Sequence, residues 1–149
     1  MDDHDQRIQR IRAAAIDGRT ENIRYRQGQL QNLHAALREQ YDTLRESMLR
    51  DAPMSESEID AELFLSMATV KEFYDSLDFE KEFEQEYLIA HSKNNSERRV
   101  GYGSVLIRPT SYTRLYSVIS PLAAAISAGN CVIVEVCNYS QNTSIYLTT

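Results

Sequence analysis

The chain has 149 residues, of which 42% are hydrophobic and 26% charged, and a formal net charge of −6. That length holds one domain with a real core and is short for a two-domain enzyme. The negative balance argues against a nucleic-acid partner or an anionic membrane surface, since both reward clustered Lys and Arg. The start, "MDDHDQRIQR", is acidic and lacks the apolar centre of a signal peptide. Arg7, Arg10 and Arg12 stand among Asp2, Asp3, Asp5, Asp17 and Glu21, the pattern of a solvated helix face. Ile8, Ile11, Ala15 and Ile16 give residues 1–19 a short amphipathic pattern that Gly18 can end.

From Glu21 the periodicity strengthens. Leu30, Leu33, Leu37, Tyr41, Leu44 and Met48 step by three and four, one apolar stripe of a helix over about 20–50. Gly28 is its weak point. "DAPM" breaks the pattern at Pro53, and "SESE" opens a second helix. Ser55 and Glu58 have the spacing of a capping box. Ile59, Leu63, Met67, Val70, Tyr74 and Leu77 continue the stripe. The two helices read as an antiparallel hairpin across 20–77, packed through Leu33, Leu37, Leu44, Leu63, Met67 and Val70.

Residues 78–103 read as an extended transition. The acids of "DFEKEFEQE" suit a solvated face better than a metal site, which draws its carboxylates from several elements. "EYLIAHS" and "RRVGYG" read as a hairpin about the turn "KNNSE", with His91 at its surface. Over 104–149, "SVLI" is a continuous apolar run, a strand buried on both faces. Tyr116, Ile119, Leu122, Ala123 and Ile126 form a helix stripe interrupted by Pro121, and Gly129 is placed to stop it. "CVIVEV" is a second buried strand. The fold class is therefore α/β: long N-terminal helices, then an incomplete Rossmann-like βαβ unit.

No apolar run reaches the ~18 residues that cross a bilayer. Cys131 and Cys137 on one strand would stand about 20 Å apart at ~3.3 Å per residue. A disulfide tolerates roughly 7 Å, so two free thiols and a reducing, cytoplasmic setting are expected. The Asn-x-Ser matches at Asn94, Asn138 and Asn142 are then chance.

"GSVLIRPTSYT" followed by "SPLAAAISAGNCVIVEVCNYSQNTS" resembles the first βαβ element of the NAD(P)-dependent aldehyde dehydrogenases. "RQGQLQNLHAALREQ" and "ELFLSMATVKEFYDSL" resemble that family's first two long helices, so the likeness spans roughly residues 20–145. The departures lie at the site. Where the family has Pro-Trp-Asn-Tyr-Pro, whose Asn amide helps to stabilise the oxyanion of the aldehyde, this chain has Pro109, Thr110, Ser111, Tyr112 and Thr113. Where the family has Lys-Pro-Ser-Glu, whose Lys and Glu hold the adenosine ribose, this chain has Glu135, Val136, Cys137 and Asn138. Lys to Glu sets a like charge beside a dianionic cofactor, roughly 1–4 kcal/mol in the wrong direction. The family's glycine loop, general-base Glu and nucleophilic Cys lie beyond the point that matches Thr149.

The resemblance thus implies a family scaffold without NAD(P)-dependent oxidation, and no cofactor or metal is expected. Two readings follow. The favoured one is a cofactor-free catalyst of isomerase, cyclase or lyase type in a specialised metabolic pathway, acting on a small apolar molecule, with Ser111 as donor, Tyr112 as donor or acid and Glu135 as base at the strand ends. The other is a non-catalytic protein that pairs with itself or with a full-length aldehyde dehydrogenase. The apolar strand face of Val132, Val134 and Val136 favours a homodimer or higher oligomer if nothing in the chain covers it.

Overall fold

The computed structural model of the chain describes the backbone of residues 3–51, 54–88, 90–96, 98–110, 112–137 and 144–148. Among the described residues six α-helices come in order: α1 (Asp3–Ile16), α2 (Ile23–Glu39), α3 (Tyr41–Asp51), α4 (Glu56–Asp75), α5 (Phe79–Tyr87) and, after the strand β1 (Ser104–Ile107), α6 (Arg114–Ser127). The strands β2 (Cys131–Cys137) and β3 (Ser144–Thr148) follow. The architecture is α/β, as the periodicities predict.

α2 and α4 start where a side chain takes up free backbone N–H groups. Gly18 turns left-handed (φ 71°) after α1. The Asn22 carboxamide accepts from the N–H groups of Arg24 (2.8 Å) and Tyr25 (3.4 Å) and opens α2. Ser55 and Glu58 form the expected capping box on α4. Its hydrogen bonds from Ser55 hold the Glu58 carboxyl below its usual range. The single helix expected over 20–50 is two helices, divided at Gln40 (φ −96°, ψ 11°) rather than at Gly28. Neither Gly nor Pro marks that break. Beyond it, Arg45 ties α3 to α4 by hydrogen bonds to Asp60 (2.7 Å) and Glu56 (2.8 Å).

α2 and α4 pack on each other and on α6, which in turn lies on β1 and β2. α6 is thus covered by helices on one side and by sheet on the other. That is why its apolar residues do not keep to one stripe: Ile119, Leu122, Ala123, Ala125 and Ile126 are all buried. They join Leu30 and Leu37 of α2, Val70 of α4, Ile107 of β1, and Val132 and Val134 of β2 in one core, with Leu33, Leu44 and Met67 at its margin. Leu63 is fully buried as well. The residues expected in the hairpin seam are therefore in the core or against it. α6 runs on through Pro121.

Two of α6's ends are finished by the helical layer. At its start Thr113 is left-handed (φ 44°) and offers no side-chain cap. Instead Glu62 of α4 reaches across, and its Oε1 accepts from the Tyr116 N–H at 2.9 Å. At the other end the Arg26 guanidinium of α2 donates to the Ser127 carbonyl at 2.7 Å. An acid at the positive end and a cation at the negative end both complement the helix dipole.

Gly129 stops α6 in the left-handed region (φ 81°), where glycine is least strained. The chain crosses so close here that a Cβ on Gly101 would lie 2.2 Å from the Gly129 carbonyl oxygen. The Asn130 side chain accepts from the N–H groups of Tyr102 (2.6 Å) and Gly103 (3.1 Å), and so fixes the approach to β1. The Ala-Gly-Asn run thereby joins the helix stop to the strand start.

β1 and β2 are parallel, with Ser104 opposite Cys131 and Ile107 opposite Val134, and α6 is their crossover. β3 pairs antiparallel on the other side of β2, with Val134 opposite Leu147 and Glu135 opposite Tyr146. Two expectations change. The segment expected to be extended over 78–103 begins as α5, opened by the Asp78 carboxylate on the N–H groups of Glu80 (3.0 Å) and Lys81 (3.2 Å). No strand forms in "RRVGYG". The edge of β2 that motivated assembly is paired by β3, while Val132 and Val134 are buried within the chain itself (each 2% exposed). Among the described residues no helix is long and apolar enough to cross a membrane.

Candidate functional site at the strand ends

The crevice beyond the carboxyl ends of β1 and β2 is where an open α/β sheet binds its ligand. The turn from Arg108 to Thr113 and the end of β2 form it here. Ser111 lies outside the described residues. The Thr110 hydroxyl donates to the Tyr112 carbonyl at 2.6 Å, which closes the turn on itself. The Tyr112 side chain is 83% exposed and stands in solvent.

Glu135 is engaged. Register sets Arg108, the residue after Ile107, across from it, and the Arg108 Nε and a terminal nitrogen each lie 2.8 Å from Glu135 Oε2. The Glu135 side chain is mostly covered (20% exposed), while that of Arg108 is open at 71%. This is a cross-strand ion pair of a solvated sheet end. Of the three candidate residues, the structure ties Glu135 to Arg108, leaves Tyr112 in solvent, and joins neither to the other by a hydrogen bond.

Other polar groups that reading the sequence passed over are buried at the two ends of α6. Glu62 is 4% exposed, and its Oε2 has no hydrogen-bond partner among the described residues. Arg26 is 7% exposed and, besides Ser127, reaches Glu82 Oε2 at 3.1 Å. Glu62 sits beside Leu63 on α4, whereas Arg26, three after Ile23 and four before Leu30, stands on the line of the α2 stripe, so its spacing places it inward although it is polar.

Two hollows lie elsewhere. One, with room for about 10 Å³, lies at the amino end of β2 among Arg26, Ile126, Asn130 and Cys131, the size of one water. The other, about 250 Å³, is an open polar groove between Gln85 of α5, Leu88 just after that helix, and Asn94–Ser96 with Arg98. Cys131 is free and buried, and burial pushes its thiol up, as expected of inert packing. The Cys137 side chain lies outside the described residues. His91 is exposed. Among the described residues no group of His, Cys, Asp and Glu could hold a metal ion.

A helical layer set on a parallel βαβ pair, with a third strand antiparallel on β2, defines the class: an α/β fold with an incomplete βαβ unit. The chain is aldehyde dehydrogenase-like. It is 31% identical over 147 residues to "Aldehyde dehydrogenase family 3 member B1" of Bos taurus and 32% identical over 148 residues to the protein of that name in Rattus norvegicus. Each alignment takes in 96% of this chain and 31% of the relative, so the chain spans about a third of the length of the curated relatives it matches. No family model matches the chain, and no solved structure matches it significantly.

A dinucleotide does not fit the described strand end. At the position where the resemblance calls for a Lys toward the ribose, there is a carboxylate already held by an arginine. No step through that cofactor is derived.

Proposed function

We propose that this chain is a non-catalytic aldehyde dehydrogenase-like module that acts by binding a protein partner. The observation that carries the reading is the Arg108–Glu135 pair. A catalytic base must present a carboxylate to its substrate proton within hydrogen-bond reach. Here Oε2 of Glu135 takes two arginine nitrogens, each at 2.8 Å. A cofactor-free isomerase, cyclase or lyase built on Ser111, Tyr112 and Glu135 would draw on a carboxylate with one oxygen already taken by an arginine, and would have a donor that stands in solvent. The pair instead ties the end of β1 to the end of β2.

A double-mutant cycle with Arg108→Ala and Glu135→Ala tests the tie. The account expects a favourable coupling of roughly 0.5–1 kcal/mol in denaturant unfolding, since one partner is largely exposed. A coupling indistinguishable from zero would mean that Glu135 is available for chemistry, and the reading would fall.

A further inference from the structure

We infer that the outer face of α5 is a docking surface for an arginine-bearing segment of another protein; this rests on the reading of the chain as a binding module. The first ground is how α5 is attached to its own chain. It meets α2 through two arginines. Arg26 donates to Glu82 at 3.1 Å, and the Arg24 guanidinium lies 4.2 Å from the centre of the Phe79 ring. One contact is a guanidinium on a carboxylate and the other a guanidinium on an aromatic face.

The outer face of the helix repeats both kinds of group. Phe79, Phe83 and Tyr87 follow at four-residue spacing, and their ring centres are 5.9 and 4.6 Å apart. Phe83 and Tyr87 are about half exposed, at 50% and 45%. Glu80 and Glu84 flank this ladder on one side and Glu86 on the other, all exposed. Among the described residues none forms an ion pair with Glu80, Glu84 or Glu86. Like charges four apart on a helix are destabilising, and a bound cation relieves that.

The charge and the rings together select the occupant. A purely apolar partner would leave the three carboxylates facing it without counter-charges. A lysine-bearing partner would satisfy the acids, but its compact, strongly hydrated ammonium does not stack flat on a ring. A guanidinium meets both at once. Arginines four apart on a partner helix match the spacing of Phe83 and Tyr87, the two rings that Arg24 does not cover.

The test uses fluorescence anisotropy with the full chain and three labelled amphipathic peptides. They carry arginine, lysine or glutamine at i and i+4 and are otherwise the same. The expected result is binding of the arginine peptide about tenfold tighter than of its lysine twin, and none of the glutamine twin. Phe83→Ala with Tyr87→Ala should abolish the arginine preference, with the fold checked by circular dichroism. Glu80→Gln with Glu84→Gln and Glu86→Gln should weaken binding and flatten its salt dependence. Equal affinity for the arginine and lysine peptides in the unaltered chain would overturn the inference, whether or not the variants fold. So would unaltered chain that sediments as an oligomer, loses it on changing Phe83 and Tyr87, and binds no peptide, which would give the surface to a second copy. Failure here leaves the non-catalytic reading standing, whereas cofactor binding would sink that reading and not touch the peptide result.

Discussion

Replacing Leu37 with Asp lowers stability by several kcal/mol. Leu37 is 6% exposed and belongs to the core that joins α2 to α4, α6 and the sheet. An aspartate there has no counter-charge in that cluster and must be buried ionised, neutralised or expelled, each at a large cost. For a chain of this size one kcal/mol moves the melting temperature by roughly 2–4 °C, so the midpoint should fall by about 10 °C or the cooperative transition should vanish. A variant that melts within a degree or two of the unaltered chain would show that the α2–α4 seam is misplaced.

Replacing Arg26 with Ala has the second largest expected effect. The guanidinium holds three things in one place: the Ser127 carbonyl at the end of α6, Glu82 of α5 and the Glu21 carbonyl ahead of α2. Truncation leaves those acceptors without their donor and opens a hole beneath α2. Breaking a largely buried charge pair by removing one member costs roughly 3–5 kcal/mol, here nearer the lower end because Glu82 is 37% exposed. Denaturant unfolding reads the loss. Arg26→Lys should recover little, because one ammonium cannot reach acceptors on α6 and α5 in the fork geometry of a guanidinium. A loss under about 1 kcal/mol, the scale of a surface pair, would contradict this.

Much of the fold was legible because burial follows simple periods. The stripes of α2 and α4 are set by one covered face and the run of β2 by two, and the structure buries or half-buries their described side chains; β1 departs from the expectation of a strand buried on both faces, since Leu106 is 58% exposed and only Ile107 is buried. α5 was not legible as a helix, because its acids dominate the eye. Yet Asp78 as a cap and aromatics at 79, 83 and 87 were signals in the sequence. The break at Gln40 has no such signal, since it involves no residue that disfavours a helix. β3 was missed although it follows β2 by only six residues and pairs back on it with Cys137 opposite Ser144; its five residues are too short a run to stand out by periodicity.

The site was legible only as positions. Composition and resemblance picked out Glu135, but not that the residue after β1 would be opposite it. That follows from the parallel register, in which Ile107 meets Val134. Glu62 and Arg26 were hidden for a related reason. Glu62 is polar beside the α4 stripe and Arg26 is polar on the α2 stripe, and the role of each comes from an end of α6, 54 and 101 residues away in sequence.

The central claim is that the strand end of this βαβ unit is closed by Arg108 and Glu135 and does not hold a dinucleotide. Isothermal titration calorimetry of the full chain with NAD and with NADP tests it most directly. The account predicts no saturable heat with either nucleotide, for the unaltered chain and for Tyr112→Ala alike. A dissociation constant in the low micromolar range for either nucleotide would contradict it.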